Sequence, residues 1–376
     1  MRPVPDQVVD EYGITVQIRR AWPREDGRFS FEGHENGSGR LRAGMVDASG
    51  TARLAAYGVD PSLPGLESAV AGGELLVHRY KRRAVVRVGG QYRKFLAGEK
   101  AAGVASAHLT VLTALSDSGL TAPDVVTADQ HSVTLTAVPG TSLHELGQRT
   151  VSARSDGRAP VLRDYLREWE SAWDLWAGRW PGFVRSGAGA GGQAGRYGAE
   201  DEIRTVAKWA GLAAVHTALN VPAERLGNAL STIVGKLASG VSPAQTAHRD
   251  LHDKQLLMDA AAGTVGIIDC DTLAIAEPAL DLANISVHLD FRVAQGLLSR
   301  DAASTAKIRI HDVADHLKVP PSRFEAYAAA TALRLACLYA FRPPYQHTAA
   351  LWFDELERRL GARHKQSFDY DAVPIG

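Results

Sequence analysis

Two cysteines in 376 residues, Cys270 and Cys337, leave no material for a disulfide framework or a cysteine-ligated zinc site. Cys270 reads as a small buried side chain rather than a nucleophile. Charge of one sign is missing as well: 42 basic and 42 acidic side chains cancel, so no global field draws the chain to nucleic acid or to an anionic membrane. No apolar run approaches the ~20 residues of a membrane span. Met1-Arg2-Pro3-Val4-Pro5-Asp6 lacks the apolar core of a signal peptide, which makes the cytoplasm the expected location. What remains is ordinary for a soluble globular protein: 45% apolar and 22% charged residues, in a chain long enough for two or more core-bearing units.

Against that background one stretch stands out. His248-Arg249-Asp250-Leu251-His252-Asp253-Lys254-Gln255 is a polar loop with a potential base, followed by Ile267-Ile268-Asp269-Cys270-Asp271, a carboxylate at the end of an apolar strand. Between them, Leu256 to Met258, Asp259 to Gly263 and Thr264 to Ile268 read as strand, turn, strand. A hairpin of that size returns Asp269 close to the loop that carries Asp250. A base beside a metal-holding carboxylate is equipment for phosphoryl transfer from a metal-bound nucleotide.

This pattern resembles the catalytic loop and metal site of protein kinases, and more closely those of the aminoglycoside phosphotransferase and choline kinase superfamily. The matching parts are His248, Asp250, His252, Gln255, Ile268-Asp269 and the helix start Glu277-Pro278-Ala279-Leu280-Asp281-Leu282-Ala283. The resemblance implies an α+β, bilobal protein-kinase-like fold with a small antiparallel-sheet N-lobe and a mainly helical C-lobe. It implies Asp250 as catalytic base with His248 and His252 beside it, Asp269 and Gln255 as Mg²⁺ ligands, and Asp281 as a buttress under the loop. Gln255 departs from the usual Asn by one methylene; its other reading is a loop residue bonding to backbone. Asp271 reads as a second acid near the metal or, in preference, as a strand-end residue bonding to backbone.

Residues 1–70 form an N-terminal extension, expected to be β-rich and packed on the N-lobe. Arg28 to Gly33, Leu41 to Met45 and Ala52 to Tyr57 are its candidate strands. Residues 71–138 read as the N-lobe: strands at Glu74 to Arg79, Ala84 to Val88 and Gln91 to Leu96, a helix over Ala101 to Leu115, then a hairpin of Val125-Val126 and Ser132 to Val138. No glycine-rich turn joins the first two of these strands; the turn is Tyr80-Lys81-Arg82-Arg83. Lys81 and Arg83 would hold nucleotide phosphates by charge, or else form an ordinary solvated hairpin tip. By the resemblance, Lys94 on the third strand contacts phosphates, and backbone groups of Thr136 to Val138 meet the nucleotide base. The glutamate that usually pairs with such a lysine is replaced by His108, with Glu99 as a nearby substitute.

Residues 139–376 read as a helical C-lobe, opened by the turn Pro139-Gly140. A stripe of Val161, Leu162, Tyr165, Leu166, Trp169, Trp173 and Trp176 points to core rather than ligand platform. Gly187 to Gly198 reads as a flexible loop or linker. Glu202 to Leu219, Phe324 to Phe341 and Thr348 to Leu360 read as helices. The implied reaction is transfer of the γ-phosphate of ATP or GTP, with Mg²⁺, to a hydroxyl of a small molecule. An antibiotic is the expected acceptor, with a sugar or amino-alcohol as alternative and a pseudokinase-like regulatory module as rival. A polycationic drug wants an acidic cleft, for which Glu277, Asp281, Asp290, Asp164, Glu168, Glu170 and Asp174 are the candidates.

Overall fold

Thr-Val-Gln-Ile-Arg-Arg-Ala-Trp-Pro alternates apolar and polar residues, and in the computed structural model it is the longest strand of a five-stranded antiparallel sheet. The structure describes residues 3–115, 118–157, 159–186 and 195–366. The first sheet is a meander of β1 (Gln7–Val9), β2 (Thr15–Pro23), β3 (Phe29–Glu35), β4 (Leu41–Val46) and β5 (Ala52–Leu54). A bulge between Ile18 and Arg20 shifts the β2–β3 register, so that Val16, Ile18 and Ala21 all turn inward. The extension was expected to pack on the N-lobe; its sheet bonds to both lobes. Buried Glu32 accepts from Arg20 and from the His78 amide at 3.0 Å on the N-lobe side. On the other side the Ala21 amide donates to Phe341 O at 2.8 Å, and Gln346 Nε2 donates to Val4 O at 2.8 Å. A short helix, α1 (Leu66–Ala71), then leads into the N-lobe.

The N-lobe sheet contains β6 (Glu74–Arg79), β7 (Arg83–Val88) and β8 (Gln91–Leu96). Helix α2 (Ala101–Leu115) and the short β9 (Leu120–Thr121) follow, then β10 (Val125–Ala128) and β11 (Ser132–Thr136). The order β10-β11-β8-β7-β6 is antiparallel throughout, with α2 packed on β10 and β11 through Val104, Ala105, Val133 and Leu135. This is the strand–helix–strand order expected from the sequence.

The passage into the C-lobe is a close backbone contact. Gly140 has φ +114°, and a Cβ there would lie 2.5 Å from the Met258 carbonyl carbon. Gly140→Ala therefore meets both a left-handed backbone and a main-chain clash, and is expected to cost about 2–4 kcal/mol. Urea unfolding checks it; an unchanged midpoint would show that the backbone at Gly140 relaxes freely.

The C-lobe begins with β12 (Thr141–Ser142), α3 (Leu143–Ser155) and α4 (Ala159–Ser186). On α4, Trp169, Trp173, Trp176 and Trp180 are fully buried and touch ring to ring at 5.4 to 5.7 Å between centroids, so the tryptophan stripe is core. The glycine-rich run is described only from Gly195; Gly187 to Ala194 lie outside the described residues. Helices α5 (Ala199–Val215) and α6 (Ala223–Ala238) precede β13 (Gln245–Ala247), β14 (Leu256–Asp259), β15 (Thr264–Ile267) and β16 (Ala274–Ala276). Four helices complete the lobe: α7 (Pro278–Ala294), α8 (Arg300–His316), α9 (Pro321–Tyr339) and α10 (Gln346–Gln366). α7 is buried along nearly its whole length, which fixes the ground under the His248–Gln255 loop.

Candidate active site

Strand β14 pairs with β15 in register Leu256 to Ile267, and β13 pairs with β16. The two pairings bring the loop His248–Gln255 and the segment Ile268–Leu273 side by side. Two residues there, Arg249 (φ 72°) and Asp269 (φ 64°), take left-handed backbone that only glycine adopts freely. Such conformations persist when neighbours over-determine them. Here Asp281, at the start of α7, accepts the His248 amide at 2.6 Å and the Arg249 amide at 2.7 Å. Asn284 donates to Leu251 O at 2.7 Å, and Thr272 donates to His248 O at 3.0 Å.

Asp250 emerges half-buried from this frame, and among the described residues its carboxylate has no hydrogen-bond partner. Burial pushes its carboxyl up; the charges of Arg334, His248 and Arg83 pull the other way. The two histidines read as its companions hold the loop itself. His248 is fully buried with Nε2 on Ile268 O at 3.0 Å. His252 accepts the Lys254 amide at Nδ1 and stacks on His288 at 4.6 Å.

Lys94 reaches across from β8 to Asp269 at 2.6 Å and Asp271 at 2.7 Å. Burial resists ionisation of all three groups, and their mutual attraction overcomes it: the lysine is raised and both carboxyls are lowered. The preferred reading of Asp271 as a strand-end residue is thus corrected, since its carboxylate takes the Lys94 ammonium and His108 Nε2 at 3.2 Å. Glu99 does not substitute for the missing glutamate; it accepts from exposed Gln130. The partner of Lys94 is supplied by Asp271, with His108 beneath it.

Gln255 is buried, and its side-chain oxygen, the atom a metal would need, accepts the His252 amide at 3.1 Å. That is the arrangement of a loop residue bonding to backbone. In the basic turn, the Lys81 amide donates to Asp60 at 2.6 Å and its ammonium lies over the Tyr80 ring. The Arg83 charge pulls the carboxyls of Asp250 and Asp269 downward, in the case of Asp250 against the larger upward push of burial. Thr136 is tied to Asp124 through its amide and hydroxyl, and Val138 packs over Gly266, where a Cβ would come within 2.1 Å of its methyl.

A second layer was not read from the sequence. The Arg249 guanidinium stacks on Tyr197 at 3.9 Å, Tyr197 donates to buried Glu202 at 2.7 Å, and Arg334 donates to Asn284 at 2.5 Å. Its one sequence signal is a cation, Arg334, inside the apolar run Ala329 to Cys337. Most of the candidates for an acidic cleft are engaged elsewhere. Asp164 is held by Arg167, Asp174 by Arg309, Glu277 by Arg323 and Asp290 by Lys307, while Asp281 is sealed under the loop.

Among the described residues one trio has metal-ligand spacing: His252, Asp253 and His288. Arg292 already sits on Asp253 at 3.0 Å and His144 at 2.8 Å, so positive charge is in place there without an ion. Burial holds all three histidines below the ordinary value, His252 at about 3. Below about pH 6.5 the unfolded chain takes up protons at these positions and the folded chain does not. Stability therefore falls with acidification through that window, each histidine adding a slope of up to about 1.4 kcal/mol per pH unit. His288→Gln is expected to flatten the pH dependence of urea unfolding; an identical profile would assign the acid loss elsewhere.

No protein-family model matches the chain, and no curated protein sequence matches it. Its fold matches solved structures. One is a glucosamine kinase, 16% identical over 94% of this chain and 95% of that one, with a TM-score of 0.53. Another is a thermostable mutant of an aminoglycoside phosphotransferase, 14% identical over 79% of this chain and 95% of that one, with a TM-score of 0.52. A further mutant of that phosphotransferase, in complex with AMP-PNP and hygromycin B, aligns at 14% identity over 79% and 97% of the two chains, with a TM-score of 0.50. The likeness is one of fold, the bilobal kinase-like fold expected from the sequence.

Proposed function

We propose that the protein is a kinase of the aminoglycoside phosphotransferase and choline kinase superfamily, transferring the γ-phosphate of ATP or GTP to a hydroxyl of a sugar or amino sugar. The observation that carries this reading is the partnerless Asp250 carboxylate, on a loop whose backbone Asp281 and Asn284 hold, within reach of the charge of Asp269 in the Lys94, Asp269 and Asp271 cluster. A carboxylate kept free of hydrogen bonds, in a loop whose backbone is fastened by Asp281, Asn284 and Thr272, is suited to receive a substrate hydroxyl.

Asp269 would hold Mg²⁺, a hard ion that suits carboxylate oxygens, with Asp271 beside it. Gln255 would serve as a ligand only by giving up the His252 amide. A divalent cation bound there would neutralise charge on the donor's phosphates. Lys94 and Arg83 would take the phosphate oxygens, with Lys81 in the turn that Asp60 anchors. Backbone groups of Thr136 and Val138 would meet the base. Most of the acceleration would come from alignment and charge neutralisation rather than from the strength of the base.

Two observations favour a sugar over a polycationic antibiotic. Four of the acids that would line a cationic-drug cleft, Asp164, Asp174, Glu277 and Asp290, are ion-paired, and the charges acting on Asp250 include the cations Arg334 and Arg83. The glucosamine kinase likeness also spans 94% of the chain, against 79% for the aminoglycoside phosphotransferase. The test is Mg²⁺-dependent ADP or GDP release with glucosamine, neutral hexoses, disaccharides and aminoglycosides as acceptors. Release stimulated by a sugar, and lost in Asp250→Asn, is the expected result. Stimulation by aminoglycosides alone would restore the antibiotic reading. Absence of Mg²⁺–nucleotide binding would leave a regulatory module.

A further inference from the structure

The chain has no net charge, yet one cavity concentrates cations. It has a volume of about 680 Å³ and opens between β2, the end of β6 with its basic turn, and α5. Arg24, Arg79, Arg82 and Lys208 line it, with Trp22 and Trp209 as walls. Two acids reach its rim, Glu25 and Asp26, and Asp26 is already held by Arg28 at 2.8 Å.

Arg79 is the telling residue. Its Nε is buried with no hydrogen-bond partner, and among the described residues no carboxylate pairs with its guanidinium. What it has is the face of Trp22 at 5.1 Å. Burial, and then the like charges of Arg83, Arg82 and Arg24, push its proton affinity down to about 10. Arg79 is half-buried, and a guanidinium whose Nε is sealed from solvent without a counterion is costly to keep unless something else supplies the charge.

We propose that this cavity is a binding site for a phosphorylated small molecule, whose phosphate sits on Arg79, Arg24 and Lys208 while its body lies between Trp22 and Trp209. Guanidinium forks match phosphate oxygens in pairs, and indole walls accept a sugar or base ring. The site is distinct from the Asp250 and Lys94 cluster and does not depend on the kinase reading. Its walls come from the amino-terminal sheet, the β6–β7 turn and the C-lobe, so an occupant ties the turn that carries Arg83 to both other parts.

The test is calorimetric titration of the full chain, free of nucleotide, with inorganic phosphate, pyrophosphate and glucose 6-phosphate. Wild type is compared with Arg79→Gln, Lys208→Gln and Lys94→Met, each checked for folding by circular dichroism. Saturable binding that weakens by about tenfold or more in Arg79→Gln and in Lys208→Gln, and persists in Lys94→Met, is the expected result. Lys208 is exposed on α5, so its variant reads the site even where loss of Arg79 disturbs folding. Binding abolished in Lys94→Met but kept in the other two would put the anion in the catalytic cleft and overturn the proposal; so would no binding by wild type.

Discussion

Asp250→Asn is expected to lower kcat by about 10²–10⁴-fold while leaving nucleotide affinity near that of wild type. The reason lies in what Asp250 does not do for the fold. Its carboxylate accepts no hydrogen bond from the described residues, whereas Asp281, Asp253 and Glu277 are each fastened to amides or arginines. Burial raises its carboxyl, so the native state holds this charge at some cost. The neutral amide removes that cost, and the variant should unfold at a urea concentration no lower than wild type does. An activity loss without a stability loss is the signature of a residue kept for chemistry. Steady-state kinetics beside urea unfolding decides it. Activity above a tenth of wild type would remove Asp250 as the base, and a large drop in stability would make it a structural residue.

Lys94→Met should behave in the opposite way, losing both activity and stability. One ammonium serves two carboxylates, Asp269 at 2.6 Å and Asp271 at 2.7 Å, with His108 behind Asp271. Removing one partner of a buried charge cluster strands the rest. Full burial would cost about 3–5 kcal/mol, and the partial exposure of Asp269 lowers that to about 2–4 kcal/mol. Two corollaries separate this from a simple packing defect. Asp271→Asn in the same background should recover part of the loss, because it removes the stranded pair's repulsion. Millimolar Mg²⁺ should stabilise Lys94→Met more than wild type, because the ion no longer competes with the lysine for Asp269. Equal Mg²⁺ shifts in the two proteins would show that Asp269 and Asp271 do not form a cation site.

Both expectations rest on parts of the molecule that differ in how far the sequence discloses them. The hairpin between Asp250 and Asp269 is local: strand, turn and strand follow one another, and the register is set by Leu256 opposite Ile267. The N-lobe hairpins β6–β7, β7–β8 and β10–β11 are local in the same sense, while β8 pairs with β11 across helix α2. The partner of Lys94 is not local. Asp271 lies 177 residues away, and no periodicity links the two. Pattern matching placed His108 where a glutamate was sought, but only the folded chain shows that His108 supports the acid instead of replacing it. Strand β2 alternates only as far as Arg19, Val16 and Ile18 inward with Gln17 and Arg19 outward; at Arg20 the bulge breaks the period that would mark it in the sequence. The Arg249–Tyr197 and Arg334–Asn284 contacts join segments that share no motif, so composition could not announce them.

The amino-terminal sheet has a consequence for melting. Two-lobed proteins often unfold in stages, because few contacts cross between the lobes. Here β2 donates to Phe341 beyond α9, and its Arg20 shares Glu32 with the amide of His78 on β6. Neither lobe can lose its structure without tearing the same sheet from the other. Heating should therefore produce one heat-absorption peak, with van't Hoff and calorimetric enthalpies in agreement, and a proteolytic cut in the Pro61–Gly65 segment should split that peak in two.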